Sequence, residues 1–350
     1  MKKFSVLFLV LCMTLSLCAC GSSQNSTTAV PNETSSVTQG SAQTQAPVVL
    51  KISIAETNTD VKAEVLDDMI AEIETATNGE ITFEIYYSNE LGSLADVTEQ
   101  MKMGGNILAG TSGDFYASYG CADIMACALF YVFPTGEDVD KLNESQLFAS
   151  WRDQIEAASG LKILCCNWSS APRSILSTKP INSVDDIKGL KVRVPGLAAD
   201  AFFTNLNAST MTMAFSDIYT NMQQGMVEAA EAPLSTLYAY SLQEVAKYCY
   251  LSEHSLAPSC WAMSADIWNS LSAENQNILQ SALTKYGKIF TEKGIATQDA
   301  FRANMEAAGV TFVKPSEADK VVMQQAGMDS FSSFPDMTPG IADEIAKIIG

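Results

Sequence analysis

The sequence predicts an α/β chain long enough for two modest lobes or one large domain. Three observations carry that expectation. A strand-helix-strand pattern opens the folded part. Strand-like and helix-like runs then alternate as far as residue 263. A stripe of apolar residues at helical spacing follows from Ser272 to Ala308, which is long for one lobe of this size. Hydrophobic residues make up 47% of the chain, so a core can form.

Taken in order, Val48 to Ala55 alternates as a strand. Val61, Val65, Leu66, Met69, Ile70 and Ile73 keep helical spacing up to Asn78-Gly79. Ile81, Phe83, Ile85 and Tyr87 line one face of a second strand, and the β-α-β unit implies a parallel pair with a right-handed crossover. Ser93 with Asp96 opens a helix through Met103, Asn106 to Thr111 is a strand, and Gly113-Asp114 begins a loop. Residues 137–158 read as one or two amphipathic helices, and 161–166 as a buried strand. Beyond Asn167, strands are expected at 173–178, 191–194, 210–213, 227–230, 248–251 and 259–263. Short helices are expected near 198–206, 216–224 and 234–240. Ser183 caps a helical turn that Gly189 ends. Ser272 caps the long helix, which would measure roughly 50 Å if unbroken to Ala308. Gly287 and Gly294 are its expected bend points, and helices near 317–328 and 341–349 close the chain.

The N-terminus reads as an export signal. Lys2 and Lys3 precede an apolar run, Phe4 to Leu17, that is short for a membrane span. It ends Leu17-Cys18-Ala19-Cys20-Gly21, similar to a bacterial lipobox, with residues 1–19 as the leader and Cys20 as the lipid-bearing residue. Residues 20–47 are rich in Ser, Thr, Gln and Asn and are expected to be a flexible tether, leaving the lipid as the only membrane attachment. The formal charge of -19 opposes nucleic acid and anionic lipid, and no basic patch overrides it. Of nine cysteines, Cys121, Cys127, Cys165, Cys166, Cys249 and Cys260 belong to the folded part. None forms a CxxC pair, so no metal site is expected, and mostly free, buried thiols are.

Catalytic signatures are missing. Gly105 to Ser112 lacks the lysine and the strand-helix context of a phosphate loop. The single histidine, His254, removes most nucleophile-histidine triads, and Asp185-Asp186 is accounted for as a helix start. No enzyme activity and no cofactor are expected. In Lys191-Val192-Arg193-Val194-Pro195 the two valines face a core and Arg193 faces the other way, at the strand end where open α/β sheets bind ligands. Guanidinium matches carboxylate bidentately, but on spacing alone a solvated or salt-bridged arginine is the more frequent fate.

Two stretches change that weighting. INSVDDIKGLKVRVPG (181–196) and MTMAFSDIYTNMQQGMVEAAEAPLSTL (211–237) closely resemble the extracytoplasmic solute-binding proteins of TRAP transporters, the DctP family. Leu91-Gly92 with Glu99-Gln100, and Trp268 to Leu271 with Gln276, resemble weaker family segments, so the likeness runs from about Val48 to the C-terminus. The resemblance implies a two-lobed, periplasmic-binding-protein-like (venus flytrap) α/β fold with a long helix spanning both lobes. Lobe I would comprise 48–170 plus 259–298, and lobe II 171–258 plus 299–350. It implies that Arg193 clamps a ligand carboxylate, with Arg173 as a second arginine and Phe215 packing on the ligand. Trp168 is expected as an apolar wall and Asn58 as a polar contact. Where members carry asparagine after the turn glutamate, this chain has Ala232, which implies a less polar or differently shaped acid. The function implied is an extracytoplasmic, membrane-anchored and monomeric receptor that hands a small organic acid to TRAP-type permease subunits. The rival readings are the receptor of an ATP-driven (ABC) importer and a ligand-presenting sensor subunit.

Overall fold

The computed structural model of the chain describes residues 47–169, 171–256 and 258–350. The leader, the tether up to residue 46 and the Cys20 lipid site lie outside the described residues. Two sheets organise the rest. The first holds β1 (Val48–Ser53), β2 (Ile81–Tyr86), β3 (Ile107–Ser112) and β4 (Leu161–Trp168). The second holds β5 (Arg173–Ser177), β6 (Lys191–Val194), β7 (Ser209–Thr212), β8 (Ala229–Pro233) and β9 (Tyr248–Tyr250). The chain then returns to the first sheet with β10 (Ser259–Ser264) and adds β11 (Thr311–Val313) to the second. The strand orders are β2-β1-β3-β10-β4 and β11-β9-β5-β8-β6-β7.

The opening unit forms as its pattern requires. β1 and β2 pair in parallel, Val48 with Ile81 through Ser53 with Tyr86. The crossover helix Val61–Ala76 buries Val65, Leu66, Met69 and Ile73. Asp60 caps it by accepting from the Lys62 amide at 2.9 Å. Strands occur at all ten places the alternation indicates. β11 escaped notice because three residues pairing only with β9 are too few to show a period. Residues 113–127 hold two 3-10 segments, Gly113–Tyr119 and Ala122–Cys127, where a loop was expected. Ile124, Met125, Ala126 and Cys127 are all buried, so the second has no polar stripe for a sequence period to reveal.

The helical stripe after Ser272 becomes two helices, Ala273–Ala296 and Gln298–Ala307, and neither glycine is the break. The break falls at Thr297, whose hydroxyl donates to the Gly294 carbonyl at 3.0 Å. Gly287 serves a close approach instead: a Cβ there would stand 2.4 Å from Asn167 Oδ1. The gap lets the end of β4 meet the helix, with Trp168 Nε1 donating to the Leu283 carbonyl at 2.8 Å and Asn167 Nδ2 to Thr284 at 3.0 Å. The first of the two helices packs on β4 and on Val61–Ala76, and the second on the helix Leu234–Ala239 beside the second sheet. Together they reach both sheets.

Each sheet is covered on both faces. Leu50, Ile52, Leu279 and Phe290 belong to one core of the first sheet, and Phe148, Trp151, Ile163 and Ala262 to the other. Val192, Val194, Phe202 and Phe203 fill one side of the second sheet; Leu176, Ile218, Ala230 and Leu237 fill the other. The closing helix Ile341–Ile349 puts Ile341 and Ile345 into the core with Phe148. It therefore packs beside the first sheet, whereas the sequence reading placed 299–350 with the second; its apolar stripe does not say which partner it will meet. The cysteines of the folded part are mostly free and buried, as expected, with one pair as the exception. Cys166 of β4 and Cys260 of β10 are register partners and form a disulfide. Cys121, Cys127, Cys165 and Cys249 are free and buried, and the Cys127 sulfur lies within 4.8 Å of both paired sulfurs. Among the described residues, no helix is long and apolar enough to cross a membrane.

Candidate functional site

Strand alternation sets the site. Val192 and Val194 are wholly buried in one core, so Arg193 between them turns to the opposite face. There it meets a cavity of about 370 Å³. Ala55, Glu56, Asn89, Thr111 and Ser112 line it from the first sheet and its loops. Arg173, Arg193, Pro195, Thr212 and Phe215 line it from the second. A second cavity of about 610 Å³ adjoins and shares Leu94, Thr111, Ser112, Asp114 and Pro195 with it. Its further walls include Phe115, Tyr119, Leu197 and Phe334.

Arg193 is not solvated, and among the described residues it has no salt bridge. It is 2% exposed. Its Nε donates to the Met213 carbonyl at 2.9 Å, and its guanidinium carbon stands 4.2 Å from the centre of the Phe215 ring. Phe215 is fixed in turn by stacking on Tyr240, 5.3 Å between centroids. One terminal nitrogen, Nη1, is buried and has no hydrogen-bond partner among the described residues. Burial lowers the pKa of Arg193 to about 10, against the pull of Glu231 and with the added push of Arg173. The group still carries its charge at neutral pH. A buried cation with an unused donor beside a cavity is a site for an anion.

Arg173 is held differently. Its Nε donates to Glu231 Oε2, and its Nη2 donates to Glu231 Oε1 at 2.7 Å and to the Glu231 carbonyl at 3.0 Å. Glu231 is fully buried and also meets His254 Nε2 at 3.2 Å. Burial alone would raise the Glu231 pKa, but the Arg173 guanidinium and the His254 hydrogen bond outweigh it and hold the carboxyl at about 2. Burial lowers the His254 pKa, which keeps the ring neutral. Its Nε2–H then donates to the Glu231 carboxylate, and its Nδ1 accepts from the Ser252 hydroxyl at 2.7 Å. Sequence reading missed both the glutamate and the histidine as partners of Arg173, because 58 residues separate Glu231 from it.

The cavity brings together Arg193, Arg173 and Phe215, and not the other expected contacts. Trp168 is 1% exposed and is a core residue packed between Trp261 and Phe290. Its indole N–H is committed to the long helix, so it cannot wall the cleft. Asn58 is exposed in the turn before Asp60 and does not line the cavity; Glu56, two residues earlier, does. Ala232 shares Arg193's face of the second sheet, since Arg193 pairs in register with Ala230. It is nevertheless fully buried in the core and outside the lining.

Comparison with known proteins follows the same lines. The profile of the DctP family, bacterial extracellular solute-binding protein family 7, matches residues 52–334.

The chain belongs to this family.

The sialic acid-binding periplasmic protein SiaP of Vibrio cholerae is 28% identical over 65% of this chain and 70% of the relative. The C4-dicarboxylate-binding periplasmic protein DctP of Rhodobacter capsulatus is 24% identical over 87% of this chain and 88% of its own. Among solved structures, a TRAP periplasmic solute-binding protein from Ochrobacterium anthropi with bound L-fuconate superposes with a TM-score of 0.82. It is 24% identical, and the match covers 87% of this chain and all of that one. The two sheets described above are thus the two-lobed α/β fold of TRAP solute-binding proteins.

Proposed function

We propose that this DctP-family chain is the extracytoplasmic receptor of a TRAP-type secondary transporter and that it binds a small organic acid between its two sheets. The observation that carries the reading is the buried guanidinium of Arg193, with Nη1 unpartnered beside the cavity. A ligand carboxylate accepts from it, Phe215 packs against the ligand, and the Arg173–Glu231–His254 network holds the neighbouring wall rigid. The sheets act as the two lobes, and the crossings between β4 and β5 and between β9 and β10 act as the hinge. Closure removes water and strengthens the charge-assisted pair. The closed form delivers its ligand to membrane permease subunits, and the chain acts as a receptor rather than a catalyst. Lipid on Cys20 tethers it at the outer face of the membrane; mass spectrometry of the mature N-terminus would reveal an unmodified residue if that is wrong.

Isothermal calorimetry tests the anchor after a thermal-shift screen of organic acids has identified a ligand, since binding raises the melting temperature by mass action. Arg193→Ala is expected to lose about 2–5 kcal/mol of binding free energy while remaining folded. Retention of full affinity by that variant would refute the proposal.

A further inference from the structure

A second unpartnered atom belongs to a residue that lines the same cavity from the opposite sheet. Glu56 lies just beyond β1, with its carbonyl accepting from the Ser88 amide at 2.9 Å and the preceding Ala55 carbonyl accepting from the Tyr240 hydroxyl at 2.5 Å. Buried Lys62 grips Glu56 Oε1. The other oxygen, Oε2, is buried and has no partner. Among the described residues, several buried side-chain atoms lack a partner, but only Glu56 Oε2 and Arg193 Nη1 belong to residues that line this cavity. Asp114, the other acid on the wall, accepts from the Ala198 amide at 3.4 Å.

We infer that Glu56 is a specificity-determining residue that reads a hydrogen-bond donor, hydroxyl or ammonium, on the ligand whose carboxylate sits on Arg193. The inference rests on the anchoring role proposed for Arg193. One atom is an unused donor on the second sheet, the other an unused acceptor on the first. A ligand spanning them therefore carries an anion at one end and a donor at the other. A dicarboxylate fails this requirement, because its second carboxylate offers Oε2 further acceptors and no donor. A plain monocarboxylate fails it too, because it leaves Oε2 buried and unsatisfied. The cleft therefore selects hydroxy- or amino-monocarboxylates.

The test begins with a thermal-shift screen of hydroxy-, amino-, di- and unsubstituted monocarboxylates. The tightest acid and its analogue lacking the donor are then compared by calorimetry on the wild type, Glu56→Gln and Glu56→Ala. The wild type is expected to bind the analogue about tenfold to a hundredfold more weakly. In Glu56→Ala the two compounds bind alike. Glu56→Gln keeps a neutral acceptor, so it retains a hydroxyl ligand and loses an ammonium one. Equal wild-type affinity for acid and analogue overturns the inference, as does a dicarboxylate that ranks first. Either result leaves a dependence on Arg193 intact, whereas equal binding by Arg193→Ala, or binding of no acid at all, defeats the anchor instead. Should Glu56→Ala lose its circular dichroism signal, the wild-type comparison decides alone.

Discussion

Replacing Glu231 with glutamine tests the network behind the cleft. The substitution keeps the shape of the side chain and removes the charge that Arg173 and His254 face. Glu231 has its pKa held at about 2, against an ordinary value of 4.5. The charged carboxylate is therefore favoured by folding, held by Arg173 and His254. Because the pKa is lowered by folding, the contribution is fully present above pH 4.5 and disappears as pH falls through about 2. Breaking a buried pair from one side costs about 3–5 kcal/mol. Over roughly 300 described residues the unfolding entropy is about 0.6 kcal/mol per degree, so Glu231→Gln should melt about 5–8 °C below the wild type at pH 7. Urea midpoints followed by tryptophan fluorescence between pH 7 and pH 2.5 provide the check. The difference between the two proteins should be constant above pH 5 and shrink below it. A variant that melts with the wild type, or a difference that does not change with pH, would show that the Arg173–Glu231 pair does not stabilise this fold.

Two further substitutions probe the frame around the site. Asp60 is pushed up from 3.8 by burial and by Glu56, so its charge opposes folding at neutral pH. Asp60→Asn keeps one oxygen to accept from the Lys62 amide, and its Nδ2–H donates to the Thr236 hydroxyl where the other carboxylate oxygen had accepted from it. It is expected to gain about 1 kcal/mol at pH 7. The gain should shrink as pH falls and vanish below 3.8, where aspartate is protonated in both the folded and the unfolded chain, and calorimetric melting at pH 7 and pH 3 would show it. Gly287→Ala forces a Cβ to within 2.4 Å of Asn167 Oδ1 and should destabilise by about 1–3 kcal/mol in urea unfolding, despite the better helix propensity of alanine.

Local patterns made much of this fold legible. Alternation located β1 to β10, Ser93 with Asp96 marked a real capping box, and Val192 and Val194 fixed the facing of Arg193. The family motif, and not the period, gave that arginine its weight. What remained hidden depends on contacts between distant residues. Glu231 could be seen in its turn, but its bonds to Arg173 and His254 exist only once β5 and β8 pair. Trp168 carried the same aromatic signal whether it walled a cleft or filled a core; Leu283 decides, 115 residues away. Glu56 carries no sequence signal of its own. Only the burial of Lys62, which holds one oxygen and leaves the other unpartnered, marks it out.

The position of β10 has a consequence for biogenesis. This strand sits inside the first sheet, hydrogen-bonded to β3 on one side and β4 on the other. A chain emerging from the ribosome can pair β1, β2 and β3 but lacks the strand that joins β4 to them, and it cannot complete its first sheet until residue 264 has been made. Late, long-range pairing of this kind slows folding. β10 therefore sets the earliest point in synthesis at which the first sheet can close.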